Sequence, residues 1–328
     1  MTTEVTLPYK WLVIGSGSLV GSRFIELACG GNNIYGAGGE ADKNNPNLVE
    51  FSELDVTDEE AVKRVISNFP GNHVINFAGV TIVEQIEKTR PIDPFNQQEL
   101  DQNLAYRVNV IGTRNIIKAC QETGKFPIFI STGFVFDGTN GPYSEDDPIA
   151  TDPNQVSWYA WTKVLAEKEV SNSGIENITI RISYPYRSEF DGKTDFARSF
   201  LSLYDGIQKG EKQWYPIFTD QKLTPTFIDD LPEAVLTLVE DDARGIFHLT
   251  SPEITDPYQF CCEVLRVARG VEDPESIVPK GLLVKYMEEH PEAPLKPLDG
   301  GELVDKIVSL GFIPTNWKMG IKKAFEKA

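Results

Sequence analysis

Long apolar runs, cysteine and histidine are scarce in this chain, and positive charge is outweighed. No hydrophobic stretch approaches the roughly 20 residues that a membrane-spanning helix needs. The opening MTTEVTLPYKWLVIGSGSLVG has neither a basic leader nor a long apolar stretch, so it is expected to begin the fold rather than act as a signal peptide. The four cysteines, Cys29, Cys120, Cys261 and Cys262, form no CxxC pair. They share no ligand-like spacing with the three histidines, His73, His248 and His290, so no metal site is expected. Reduced, structural thiols in a cytoplasmic protein are the reading that follows. With 31 basic against 49 acidic residues, a net charge of −18, general binding to nucleic acid or anionic membrane is disfavoured.

What is present is ordinary for a globular protein: 328 residues, 41% hydrophobic and 24% charged, enough for a large core and more than one lobe. Apolar runs bounded by glycine or polar residues predict strands at KWLVIG (10–15), NIYGA (33–37), LVEFSELDV (48–56), HVINFAG (73–79), FPIFIST (126–132) and ITIRIS (178–183). Helical spacing separates them, over about 19–28, from TDEEAVKRVISNF with Thr57 as cap and Glu60 three residues on, and from about 96 to 123, ending at Gly124. Strands alternating with helices predict an α/β fold, a doubly wound parallel sheet of the dinucleotide-binding type with a smaller α/β lobe. Residues 1–183 are assigned to the dinucleotide-binding domain. Residues 184–328 form mainly the second lobe, with 223–250 returning to the first.

The first strand runs into GSGSLVG, placing Gly15, Gly17 and Gly21 at a strand-to-helix turn with Ser18, Leu19 and Val20 between them. Glycine there lets backbone approach a diphosphate at a helix N-terminus. The second strand ends in Ala37, Gly38 and Gly39, where a carboxylate for the 2′-hydroxyl of NAD would stand. Glu40 and Lys43 follow, and Lys43 can meet a 2′-phosphate. NADP or NAD are both open, with NADPH favoured.

In SWYAWTK, Tyr159 and Lys163 are one helical turn apart and share a face. An ammonium beside a phenol favours the phenolate and lowers its pKa, which suits acid–base work. Trp158, Trp161, His73 and His248 read as packing residues, and SEDD as a solvated loop.

These features sit in a wider pattern: LDVTD (54–58), VINFAG (74–79), YRVNVIGTRNIIKAC (106–120), STGFVFDGTNGPYSEDD (131–147), YAWTK (159–163), DQKLTPTFIDDL (220–231), GIFHLTSPE (245–253) and LKPLDGGELVDKIVSLGF (295–312). In these segments the chain resembles the extended short-chain dehydrogenase/reductases, and within them the dTDP-4-dehydrorhamnose reductase family of sugar-nucleotide reductases. The resemblance implies NAD(P)H-dependent reduction of a nucleotide-linked 4-keto-6-deoxy sugar. By it, Asp55 and Val56 flank adenine, and Asn76, Ala78 and Gly79 wall the adenosine and ribose. Asn109 holds backbone and a proton-relay water, Thr132 bonds the reacting oxygen, Tyr159 is the general acid, and Lys163 binds the nicotinamide ribose. Gly133, Phe134 and Arg187 are assigned to the substrate. The family has STDYVFDG where this chain has STGFVFDG, so Gly133 and Phe134 replace Asp and Tyr. KTRPIDPFNQQELDQN (88–103) is an insertion that can remodel the pocket rim or an interface. Seven basic side chains in 181–222 (Arg181, Arg187, Lys193, Arg198, Lys209, Lys212 and Lys222) fit a diphosphate-bearing substrate. The same fold also serves epimerases and dehydratases, and related sequences include the regulatory beta subunit of methionine adenosyltransferase. A homodimer is left open.

Overall fold

A computed structural model describes residues 8–28, 33–39, 45–189 and 191–326. Cys29, Glu40 and Lys43 lie outside the described residues. Among the described residues nine strands are formed: β1 (Trp11–Ile14), β2 (Ile34–Gly38), β3 (Glu50–Glu53), β4 (His73–Asn76), β5 (Phe126–Thr132), β6 (Ile178–Ile182), β7 (Ile217–Phe218), β8 (Gly245–His248) and β9 (Lys280–Gly281). All but β7 and β9 join one sheet in the order β3-β2-β1-β4-β5-β6-β8, and every pairing in it is parallel. The order reverses between β1 and β4, the place where such sheets open a crevice at their carboxyl ends.

Both faces of this sheet are covered, so its central strand β1 is apolar along its whole length rather than alternating. In β1, Trp11 and Val13 pack into one core with Phe24, Ile75 and Ile180, while Leu12 and Ile14 pack into another with Val62, Ile116 and Phe129. The covering helices are α1 (Leu19–Ala28), α2 (Glu59–Asn68), α6 (Gly112–Thr123), α7 (Trp158–Ser173) and α9 (Leu231–Glu240), while the short α3 (Val83–Glu87), α4 (Gln97–Gln102) and α5 (Leu104–Tyr106) gather around the start of α7. The second lobe packs α8 (Phe196–Gln208), α10 (Pro257–Arg269) and α13 (Trp317–Phe325) around Phe200, Phe260, Cys261 and Trp317, beside the short β7–β9 ladder. Short helices α11 (Leu283–Glu289) and α12 (Asp305–Ser309) complete the tail. Among the described residues no helix is long and apolar enough to cross a membrane, and no group of metal-ligating side chains assembles.

Three local expectations change. The strand expected over 48–56 shortens to β3, because its flanks bend into turns. Asp58, not Thr57, caps α2: its carboxylate accepts the Ala61 N–H at 3.0 Å. The helix expected from 96 to 123 is interrupted at Asn103, whose backbone is extended and whose side chain accepts the Tyr106 N–H. Asn103 also donates to the Thr89 carbonyl at 2.6 Å and accepts from the Trp158 indole at 3.1 Å, contacts that helical periodicity cannot signal. The restarted helix then widens into a π turn over Arg107–Ile111 before α6, and Asn109 sits within it.

Candidate functional site

The turn between β1 and α1 is shaped by two close approaches. Gly15 has φ +75°, and a Cβ there would lie 2.4 Å from the Ala78 nitrogen, so only glycine lets β1 end against the β4 loop. A Cβ on Gly21 would lie 2.4 Å from the Gly15 carbonyl oxygen, so α1 can seat directly on the turn. Ser18 begins the helix, and its Oγ accepts the Gly21 N–H at 3.0 Å. Ser18, Leu19 and Val20 face a cavity of about 650 Å³, while Gly15, Gly17 and Gly21 lie outside its lining. The leading N–H groups of a helix have no acceptor within it, so this cradle fits the diphosphate of a dinucleotide.

Across the cavity, β5 ends at Thr132 and α7 begins one loop later. Ser157 caps α7 by accepting the Ala160 N–H, and Glu87 accepts the Trp158 N–H at 2.6 Å. Tyr159 and Lys163 therefore stand one turn apart on the face that meets Thr132, and all three line the cavity. The Thr132 hydroxyl interacts with that of Tyr159, and Lys163 Nζ donates to the Ile130 carbonyl at 2.6 Å.

The electrostatics differ from the expectation. Burial pushes the Tyr159 phenol up to about 12, with Thr132 easing it only in part. Burial brings the Lys163 ammonium down to about 8 against the pull of Glu167. The protein's own groups therefore hold Tyr159 as the neutral phenol rather than lowering it, because removal from water outweighs the Thr132 hydrogen bond. A neutral phenol is the form that donates a proton.

Asn109 does not line the cavity. Its Oδ1 accepts the Val80 N–H at 2.9 Å, and its Nδ2 donates to the Val80 carbonyl at 3.1 Å and Thr162 Oγ1 at 2.9 Å. Its amide hydrogens are thereby used in bracing the loop after β4 to α7. Asn76 folds that loop too, accepting the Ala78 N–H at 3.0 Å, and Ala78 and Gly79 reach the cavity wall. Asp55 is exposed and accepts the Thr57 N–H, and Val56 is buried with its carbonyl bonded to Asn115; neither lines the cavity.

Two substrate assignments are corrected. Arg187 is 1% exposed and points away from the cavity, toward Glu26, Asp191 at 3.1 Å and Ser22 at 3.2 Å. It ties α1 to the second lobe, beside the Arg23–Asp229 pair whose two bonds measure 2.6 and 2.9 Å. Gly133 is buried and also lies off the cavity, against the Glu302 carboxyl: its Cβ would meet Glu302 Oε2 at 2.3 Å. Phe134, by contrast, does line the cavity, 5.2 Å from Tyr184 and 6.3 Å from Tyr159 between ring centres.

None of the seven basic side chains of 181–222 lines the cavity. Arg181 pairs with Glu167, Arg198 with Asp195, Lys193 with Asp191, and Lys222 with Asp299. Among the described residues the cations at the cavity are Lys163 and Lys296, the latter 3.6 Å from Glu84 at the rim. The rim uses Thr81, Ile82, Val83 and Glu84, while the insertion 88–103 lies off it.

Sequence reasoning missed the outer wall: Tyr184, Phe196, Tyr215, Phe218, Gln221 and Lys296. Tyr184 has φ +46°, a left-handed conformation unusual for a tyrosine and often stored at sites of function. No local pattern marks it, although its place just after β6 could have been noticed. His248 is a packing residue, wedged beside Arg181 and the Leu303 carbonyl and held neutral, its pKa brought down to about 3 by burial.

A family model described as the RmlD substrate binding domain matches residues 9–328. A dTDP-4-dehydrorhamnose reductase of Mycolicibacterium smegmatis is 28% identical over 87% of this chain and 75% of its own. The methionine adenosyltransferase 2 subunit beta of Bos taurus is 26% identical over 80% of this chain and 73% of its own. In fold, the chain is similar to the crystal structure of a Bacillus anthracis dTDP-4-dehydrorhamnose reductase in complex with NADP. That match has a TM-score of 0.72 and 21% identity and covers 98% and 99% of the two chains.

Proposed function

The chain belongs to the RmlD substrate-binding-domain family, and from that premise we propose that it is an NAD(P)H-dependent reductase of a nucleotide-linked 4-keto-6-deoxy sugar. The observation that carries the reading is the meeting of Thr132, Tyr159 and Lys163 at one wall of a cavity whose other wall is the Ser18–Val20 turn. The reduced nicotinamide, when bound, supplies the hydride. Tyr159 donates its Oη proton to the oxygen of the reduced carbonyl. Thr132 offers a hydroxyl where negative charge develops, preorganised by its place at the end of β5. Lys163 holds the nicotinamide ribose through Nζ, and the N-terminal turn of α1 receives the diphosphate. Phe134 and Tyr184 bound the sugar. Residues 1–183 carry the cofactor, the part from 184 onward mainly the substrate, and 223–250 returns to the first unit. The absence of a carboxylate at Ala37–Gly39 supports NADPH as the better donor. Buried Cys120, Cys261 and Cys262 suit a reducing cytoplasm. Assembly as a homodimer is a separate proposal for sedimentation to settle.

The test compares ketone reduction and NADPH binding in wild type and three variants. Tyr159→Phe keeps the ring and should lose at least about a hundredfold in turnover with cofactor affinity intact. Lys163→Ala should lose both, and Thr132→Ala should slow turnover alone. Wild-type turnover matched by Tyr159→Phe removes the assigned acid. A wild type that binds cofactor but reduces none of a broad set of keto sugar nucleotides leaves a binding module, the reading that the similarity to the methionine adenosyltransferase subunit supports.

A further inference from the structure

The turn that follows Thr132 rests on a buried acid that the Ser183 hydroxyl approaches without a well-formed hydrogen bond. Glu302 lies in the tail, where its N–H donates to Thr224 Oγ1 at 3.1 Å and its neighbours Gly301 and Leu303 bond to the Tyr143 backbone at 2.8 and 2.7 Å. Its carboxyl enters the notch left by Gly133, is 2% exposed as a residue, and has no partner in hydrogen-bond geometry at either oxygen. The groups that face it are Arg181 on β6, Glu145 from the loop after β5, Glu167 on α7, and Ser183 and Tyr184. Arg181 is already engaged by Glu167, at 3.0 and 2.7 Å. Burial therefore dominates and raises the Glu302 carboxyl to about 7, with Ser183 and Arg181 opposing and the two glutamates reinforcing.

Two routes lead from this acid to the cavity. Gly133 adjoins Thr132, and its N–H donates to Ser183 Oγ at 3.2 Å. Tyr184 lines the cavity, accepts from Gln221 Nε2 at 2.9 Å, and has its phenol pushed upward by burial and by Glu302. A group in that notch therefore sits against Gly133, the chain neighbour of wall residue Thr132, and acts on the phenol of a second wall residue, Tyr184.

We propose that Glu302 is a positioning residue for the reduction: as a neutral carboxylic acid it fills the Gly133 notch and holds the Thr132–Gly133 turn and Tyr184 in place, and as a carboxylate it opposes the charge that builds on the substrate oxygen. The inference rests on the reductase reading of the same site. The proton stays on Glu302 through turnover, and no bond to it forms or breaks.

The experiment measures reduction of a keto sugar nucleotide, NADPH binding by fluorescence, and the infrared carboxyl bands of wild type, Glu302→Ala and Glu302→Gln. Glu302→Ala should lower kcat about tenfold or more, the scale of a displaced reacting group, with NADPH affinity within about twofold. Glu302→Gln keeps shape without charge, so it should recover most of that loss. Its rate should also fall less than that of wild type from about pH 6 to about pH 8, both proteins sharing the part due to Lys163, which burial brings down to about 8. Gly133→Asp with Glu302→Ala returns a carboxyl from the other side and should regain part of the rate. Unchanged kcat in Glu302→Ala, or the same alkaline decline in Glu302→Gln, overturns the proposal. If Glu302→Ala does not fold, Glu302→Gln decides alone through its pH profile. A protonated-carboxyl band present in wild type near pH 6 and absent from Glu302→Gln is the expected signature; its absence from wild type overturns the proposal and leaves the reductase reading intact. A wild type that reduces nothing overturns the reductase reading and the role in turnover with it, a result told apart by persistence of the band and of NADPH binding.

Discussion

Two carboxyls are buried beside β6, and they are treated in opposite ways. Glu167, on α7, meets Nε and Nη2 of Arg181 and the Ser131 hydroxyl, so this carboxyl is fully partnered. Glu302, arriving from the tail, meets a glycine and the Ser183 hydroxyl, with no well-formed hydrogen bond at either oxygen. The contrast extends to the cavity itself. On the sheet side, Tyr159, Lys163 and Thr132 are fixed by a capped helix and a strand end. On the outer side, Tyr184, Phe196, Tyr215 and Phe218 form a largely apolar wall whose polar anchors are few. The candidate catalytic side chains stand on a strand end and a capped helix, and the outer wall of the cavity is built on long-range packing.

The contrast can be broken most sharply at the satisfied pair. Arg181→Met removes the partner of a fully enclosed carboxylate, and the expected loss is about 3–5 kcal/mol in urea unfolding. A loss below about 1 kcal/mol, the scale of an exposed pair, would erase the distinction between the two sides.

The unsatisfied acid should show itself through pH. The folded state raises Glu302 from the ordinary 4.5 to about 7, so between those values the folded protein keeps a proton that the unfolded chain has released. Stability contributed by this group is therefore complete below about 4.5 and is lost as pH rises through about 7. Relative to Glu302→Gln, wild type should lose on the order of 2–3 kcal/mol between about pH 5 and about pH 8. His248, brought down to about 3, contributes with the opposite sign at acid pH, and it cancels in the difference between the two proteins. Parallel stability curves for wild type and Glu302→Gln would place Glu302 with the satisfied groups.

The smallest effect concerns the cofactor's far end, where neither carboxyl acts. NADPH should bind at least as tightly as NADH, because Ala37, Gly38 and Gly39 offer no acid to a 2′-hydroxyl or against a 2′-phosphate. Fluorescence titration of both measures this, and a strong preference for NADH removes the argument.

The sheet side was legible from residues close together in the chain. Alternating strand and helix periods implied the parallel sheet, GSGSLVG marked the first turn, and the spacing of Tyr159 and Lys163 placed both on one helical face. Each of these signals lies within a few residues, where backbone geometry converts spacing directly into position. Arg187 was misread because its partners, Glu26 and Asp191, fall on another helix and in a loop, and charge alone does not tell which way an arginine turns. Asn109 was read as a catalytic residue holding backbone and a proton-relay water; the structure shows its bonds to the Val80 backbone, and the π turn that carries it has no sequence signature.

Sequence by itself determined the order of elements, the glycines that the first turn cannot do without, and the helical face shared by the phenol and the ammonium, since all three follow from local sterics and period. Tertiary structure alone decided which charges face the cavity, that burial keeps Tyr159 neutral, and that a tail glutamate fills the space beside Gly133. These depend on removal from water and on contacts between distant segments, and neither is encoded in the spacing of neighbouring residues.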